Sequence, residues 1–260
     1  DVIESNGKTT YRLLAGKDNN KDQSYFLCQI NQNQLSKILF PVGELQKPEV
    51  RKIAHKQGLI TAEKRDSQGL CFVGKVKLPE FLQQKLKPKT GKVIEISAEN
   101  KIYDTEIEND LKSQSKKYTY SADDGQVMGE HPGAHFFTKG QRKGLNIGGT
   151  PEPLFIIETD VKRNIIYVGQ GKSHPGLYRK GLKVNKGDIH WLREDLRLKI
   201  GESQSYLARI RYRQPLEKAE LFQQEDGLYI IFEHPQMAIA EGQFVAWYNQ
   251  DELVGSSVIS

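Results

Sequence analysis

The chain has two cysteines, and one of them stands where a thiol could react. Cys71 lies in EKRDSQGLCFVGK, residues 63–75, behind Asp66, Ser67 and Gly69, which favour turns over a buried helix. Lys64, Arg65 and Lys75 are close in sequence. Cations favour the thiolate, and the thiolate is the nucleophile. A Cys on a basic loop can carry a sulfur atom or enter a transient disulfide. Phe72 and Val73 follow directly, so packing into a core is the competing reading. Cys28 sits in YFLCQI, an apolar context that predicts a buried, inert thiol. The two do not make a disulfide framework. No CxxC or zinc-type cluster accompanies the six scattered histidines, so no metal site is expected, and a reducing, cytoplasmic setting is the default expectation.

A second candidate chemistry is charge. Residues 1–90 carry 16 Lys and Arg against 9 Asp and Glu, whereas residues 91–260 carry 22 against 24. The excess is densest in KVKLPEFLQQKLKPKTGK, with six Lys and one Glu. Such a stretch suits a phosphate-rich partner; a solvated surface is the alternative. No apolar run reaches the roughly 18 residues a membrane helix requires, and no secretory signal opens the chain. It begins on Asp1 in mid-pattern, which suggests a piece of a longer protein.

The elements that must position these residues fall into two regimes. After a short hairpin the first part reads as helical. DQSYFLCQINQNQLSKILF places Phe26, Ile30, Leu35, Ile38 and Leu39 at three- and four-residue spacings. LQKPEVRKIAHKQGL puts Pro48 in a first helical turn, Val50, Ile53 and Ala54 on one face, and Gly58 at the C-terminal cap. LPEFLQQKLKP predicts another short helix between Pro79 and Pro88. Beyond Pro88, the segments GKVIEIS, LFIIETD, NIIYVGQ, SYLARIRYR, KAELFQ, GLYIIFE, QFVAWYN and LVGSSVIS are β-branched or aromatic with turn residues between them. Regular short strands predict antiparallel barrels or sandwiches. YSADDGQVMGEHPG, with the polar run from about Glu99, reads as a long loop or insertion.

Four ordered segments carry a resemblance. KDQSYFL, FPVGELQKPEVRKIAHKQGL, KRDSQGLCFVG and HFFTKGQRKGLNIGG, followed by RIRYRQP and IAEGQFVAWY, resemble the tRNA-specific 2-thiouridylases, also described as tRNA methyltransferases. The resemblance runs over essentially the whole chain. It implies an α+β fold: the helical tail of an α/β ATP-pyrophosphatase domain (1–87), a small β-rich central tRNA-binding domain (88–150) and a C-terminal antiparallel β-barrel (151–260). It also implies adenylation of the C2 oxygen of the wobble uridine, U34, in tRNAs for Lys, Glu and Gln, then replacement of that oxygen by sulfur. ATP with Mg2+, tRNA and a sulfur-donor protein, a cysteine desulfurase or relay, are the implied cofactors and partners.

Carried over residue by residue, the DSxGxCF motif makes Cys71 the persulfide carrier. Lys21, Asp22 and Gln23 match a Lys-Asp-Gln that approaches the tRNA near its target base, with Asp22 equally a helix cap. Arg211 and Tyr212 match an Arg-Tyr on a barrel strand at the anticodon arm, and Gln243 matches a polar tRNA contact. Gln141, Arg142 and Lys143 of TKGQRKG are phosphate contacts or turn residues, and Arg209 is expected to be solvated or paired. Two family features are missing from this sequence: the Ser-Gly-Gly-x-Asp-Ser phosphate loop, which NIGGTPEP does not replace, and the second catalytic cysteine. The 260 residues alone are therefore expected not to thiolate tRNA. A non-catalytic RNA-binding β-barrel module, or a fragment whose Cys71 is simply packed, are the rival readings.

Overall fold

The structure is a computed structural model that describes residues 1–5, 7–64, 81, 85–104 and 110–260. Cys71, with Asp66, Ser67 and Gly69, lies outside the described residues, as does most of the helix expected between Pro79 and Pro88. By compactness the chain divides into two units. One combines residues 1–65, 180–234 and 241–260; the other comprises 66–179 and 235–240.

The chain starts in the first unit with a hairpin, β1 (Val2–Ser5) and β2 (Lys8–Tyr11), joined through Gly7 at a left-handed φ of 71°. The short β3 (Leu13–Leu14) follows. The stretch expected to be helical breaks up. It forms a 3-10 turn at Ser24–Leu27 and a single helical turn, α1 (Gln32–Leu35). Asn31 stops any continuous helix by capping α1: its side chain accepts from the Gln34 amide while the Gln34 side chain accepts from the Asn31 amide. The helix α2 (Lys47–Lys56) begins with Pro48 in its first turn, and Gly58 follows its end at φ 66°. None of its residues is buried among the described residues, and Ile53 is 49% exposed.

The second unit is built on a four-stranded sheet. Its elements are β4 (Gly91–Glu95), α2's successor α3 (Leu111–Ser115), β5 (Gln126–His131), β6 (Leu154–Asp160) and β7 (Ile165–Gln170). The spatial order is β5-β4-β7-β6, and β4 with β7 is a parallel pair. The expectation of antiparallel pairing fails there because a single strand pattern carries no information about its partner's direction. The segment expected to be a loop also changes: β5 occupies part of it, paired to Gly91–Glu95, and 3-10 turns at Lys101–Tyr103 and Ala122–Asp124 flank α3. β5 is polar and glycine-containing, so its strand character comes from its partner, not from propensity. The boundary expected at 150/151 falls between β5 and β6 of this one sheet.

The first unit resumes with β8 (Tyr178–Val184), β9 (Ile189–Trp191), β10 (Ser203–Arg209), β11 (Glu217–Gln224), β12 (Gly227–Met237), β13 (Phe244–Asn249) and β14 (Glu252–Val258). These join β3 in an eight-stranded sheet ordered β3-β14-β13-β10-β11-β12-β8, with β9 also on β14. Leu13 and Leu14 pair with Leu253 and Glu252. The start of the chain is thus sewn to its last strand. Tyr25, Cys28 and Leu35 pack with Leu192, Ala246, Tyr248 and Leu253 in one core. Every segment read as a strand beyond Pro88 contains one. The described residues are therefore a mixed α/β fold with few helices and several sheets. None of their helices is long and apolar enough to cross a membrane.

Candidate nucleic-acid interface

The Lys21–Gln23 segment and the Arg211–Tyr212 segment are almost 190 positions apart, yet the first unit brings them together. Asp22 is the joint. Its carboxylate is buried, accepts from the amides of Gly16 at 3.1 Å and Ser24 at 3.0 Å, and receives Nη2 of Arg209 at 2.8 Å. Burial pushes the Asp22 carboxyl up, but the Ser24 and Gly16 hydrogen bonds and the Arg209 charge outweigh it, holding the group below its ordinary value. Its oxygens are occupied from inside the protein. Asp22 is therefore placed to hold the turn, while exposed Gln23 and half-buried Lys21 present themselves beside it. Both line a cleft of about 730 Å3 with Leu13, Leu35, Phe40 and Val42.

Arg209 is the paired arginine that the alternation left open. It is buried at the end of β10, and its guanidinium carbon lies 4.7 Å from the centre of the Tyr248 ring. Tyr248 in turn shares a 3.1 Å hydrogen bond with the Ser24 hydroxyl. Arg211 and Tyr212 were expected on a strand. The structure ends β10 at Arg209 and puts both residues in the turn beyond it. That turn is closed by the Gln214 amide donating to the Arg211 carbonyl at 3.2 Å, and by the Gln214 side chain accepting from the Ile210 amide. Pro215 follows with no amide to give to a ladder. Burial draws the Arg211 guanidinium below its ordinary value.

Tyr25 ties in the third segment. Its hydroxyl lies 2.8 Å from the Phe244 carbonyl and 3.2 Å from that of Ile210. These neighbours of Gln243 and of Arg211 are so fixed to the residue that follows Lys21–Ser24. Burial raises the Tyr25 phenol to about 12, so the hydroxyl keeps its proton for donation. Half-buried Gln243 itself accepts, through its carbonyl, from the Ile259 amide at 2.7 Å. Outward of this frame, the rings of Phe26 and Tyr212 are 4.4 Å apart at 45°, and the Arg213 guanidinium carbon is 5.2 Å from the Tyr212 ring centre.

Sequence reading named the outer residues and left Arg209 as solvated or paired, but missed Ser24, Tyr25 and Tyr248, which with Arg209 hold them. One signal was available: an Arg between Ala208 and Ile210 in an apolar strand must be paired if it points inward. Cys28 is fully buried, its thiol pushed up by that burial, as the apolar context predicts. In the second unit, Gln141 serves its own turn, accepting from the Thr138 amide and donating to the Lys143 carbonyl, while Lys139 pairs with Glu158 at 2.6 Å. Arg142 and Lys143 are exposed.

No phosphate cradle is found among the described residues. NIGGTPEP runs directly into β6 and opens no helix, so it lacks the strand-to-helix context such loops use. The described residues offer no phosphate-binding loop for ATP.

Comparison with known proteins identifies the family. Three family models match: a tRNA methyl transferase HUP domain over residues 2–75, a tRNA methyl transferase PRC-barrel domain over 106–170 and an aminomethyltransferase beta-barrel domain over 179–259. A protein from Christiangramia forsetii named tRNA-specific 2-thiouridylase MnmA is 60% identical over 99% of this chain and 67% of its own length. The same holds, at 60%, 99% and 67%, for a protein of that name from Flavobacterium johnsoniae, and one from Karelsulcia muelleri is 49% identical over 99% of the chain and 66% of its own length. The chain thus spans about two thirds of the length of these relatives. With this identity and these three matched segments, the chain belongs to the tRNA-specific 2-thiouridylase family.

Proposed function

We propose that this chain supplies the tRNA-docking and sulfur-handling part of wobble-uridine 2-thiolation. The observation that carries the proposal is the convergence in one compact unit of Lys21–Gln23, Arg211–Tyr212 and Gln243, through the Asp22–Arg209 pair and the Tyr25 hydroxyl. Half-buried cations and an aromatic ring held at the surface by a buried frame suit an RNA backbone and unstacked bases. Lys21 and Arg211 meet phosphate, Tyr212, Gln23 and Gln243 meet sugar or base, and Asp22 holds the turn. Cys71 carries the sulfur that replaces the uridine C2 oxygen; a thiolate among Lys64, Arg65 and Lys75 is favoured for that role. Activation of the oxygen is assigned to none of these 260 residues. The proposed partners are tRNAs for Lys, Glu and Gln and a protein sulfur donor, in the cytoplasm.

The proposed division is 1–87 with the catalytic loop, 88–150 for central tRNA contacts and 151–260 as the barrel. Since β6 and β7 share a sheet with β4 and β5, limited proteolysis tests the second boundary: release of a stable fragment starting near 151 supports it. Binding is tested by filter retention of tRNA in a salt series. Affinity should fall with a log–log slope of about −0.7 to −0.9 per phosphate neutralised, and Lys21→Ala should flatten it by about one contact. Cys71→Ser should keep that binding and, in a whole thiolating enzyme, abolish 2-thiouridine. Undiminished thiouridine would refute the role of Cys71. Salt-independent binding, or none at low salt, would refute the interface.

A further inference from the structure

Phe26 is 62% exposed, whereas the other large apolar side chains between Ser24 and Leu35 pack against one core. Tyr25 beside it is buried, and so are Cys28 and Leu35. An exposed Phe on its own is ordinary. This one is braced: its ring lies 4.4 Å from that of Tyr212 at an interplanar angle of 45°. Tyr212 is also engaged by the Arg213 guanidinium. Tyr212, the aromatic that the family resemblance marks, is therefore already contacted by two neighbours, and Phe26 is the more exposed ring of the pair.

Arg213 adds an independent observation. Its backbone sits at a φ of 64°, the left-handed region where a side chain is sterically disfavoured. A turn with positive φ at its third residue ordinarily takes Gly or Asn there. An Arg stands where Gly would relax the turn, and it sets its guanidinium carbon 5.2 Å from the centre of the Tyr212 ring. The surroundings decide the class of partner. Exposed Arg213 lies against the Tyr212 ring, and half-buried Arg211 and Lys21 belong to the two segments that supply the pair; these cations match a polyanion and not a broad apolar protein face.

We propose that Phe26, braced by Tyr212 and Arg213, is a stacking platform for one unpaired nucleobase of a bound RNA. An unpaired base is required because paired bases already have both faces stacked in the helix. The cations of the turn meet the adjoining phosphates, and the ring face takes the base whatever its identity, since every base has a π-face. The inference rests on the RNA-binding reading above and extends it to Phe26 and Arg213, two residues of the matched segments to which the resemblance gave no role.

The test uses the whole chain with a hairpin RNA of the anticodon stem and loop, carrying 2-aminopurine at one loop position at a time. One position should be quenched on binding to the wild type. Phe26→Ala should remove that quenching and weaken binding by roughly 5- to 150-fold, the range of one base–aromatic stack, without changing the salt slope. Phe26→Trp should restore both, and Arg213→Gly should weaken binding with a flatter slope. The melting temperature of Phe26→Ala should stay near that of the wild type, because the ring is exposed. If the wild type binds this RNA and Phe26→Ala binds it equally well, the platform is wrong while the interface stands. If the wild type does not bind at all, the interface fails and the platform with it.

Discussion

The unit made of 1–65, 180–234 and 241–260 and the unit made of 66–179 and 235–240 place polar groups in their interiors differently. Among the described residues, all the buried ionisable acids and arginines belong to the first: Asp18, Asp22, Arg193, Arg209 and Glu252. They are matched to one another or to backbone amides. Arg193 joins Glu252 and Asp195, Glu252 also takes Arg12, and Asp18 accepts from the amides of Asn20 and Lys47. The second unit buries neutral groups. Tyr103 and Tyr120 share a 2.9 Å hydrogen bond, His174 lies 3.0 Å from the Ile96 carbonyl, and the His131 ring accepts from the Gly133 amide. Burial draws both histidines below their ordinary value. A buried ion pair fixes geometry at a high desolvation cost. The unit that bears that cost is the one whose pair aligns the candidate RNA surface.

Breaking the first kind of interior should have the largest effect. Arg209→Ala leaves the Asp22 carboxylate buried without its cation and should cost about 3–5 kcal/mol in urea unfolding. Both tryptophans, Trp191 and Trp247, lie in the first unit, so their fluorescence reports that unfolding. Adding Asp22→Asn should recover part of the loss, giving a coupling between the two sites. Independent, additive losses would remove the pair from the frame.

Acid should separate the units. Asp22 is depressed in the folded state, so its contribution is present above its ordinary 3.8 and is lost as pH falls through the lower folded value. His131 and His174 are also depressed, so the folded state binds fewer protons there; their contribution is full above 6.5 and is lost as pH falls below it. Protection factors of the Val93 and Ile166 amides, which take out the intrinsic slowing of exchange in acid, should therefore fall as pH drops below 6.5, before tryptophan fluorescence changes. The opposite order would mean that the histidines do not govern the second unit.

A smaller effect should follow from Tyr120→Phe, which takes away the partner of the Tyr103 hydroxyl. The expected loss is about 1 kcal/mol, visible as faster exchange in the second unit and not in tryptophan fluorescence. The smallest is Lys139→Ala. Its pair with Glu158 is partly solvated, so about 0.5 kcal/mol or less is expected in thermal melts. A loss equal to that of Arg209→Ala would erase the contrast between a buried and a screened pair.

How far the sequence reached is clear from individual elements. The strand at Phe244–Asn249 announces itself through β-branched and aromatic residues, and α2 through Pro48 and Gly58, because propensity and caps are local. β5 does not, since a polar segment becomes a strand only when Gly91–Glu95 offers it a ladder. The helical spacing from Phe26 to Leu39 misleads, because it does not register the local cap at Asn31. The motifs around Lys21, Arg211 and Gln243 were legible as residue types. Their frame was not, because Asp22 and Arg209 reveal their pairing only in space.

By itself, the sequence determined the family, the alternation that makes most strands and the apolar setting of Cys28, since each depends on residue types at short separations. The tertiary structure alone decided that Leu13 joins the last strand, that β4 and β7 run parallel, that Asp22 is spent on Arg209 and that Phe26 stays outside against Tyr212. Those outcomes depend on which distant segments share a dry interior, where an unpaired charge costs more than the whole protein's margin of stability allows.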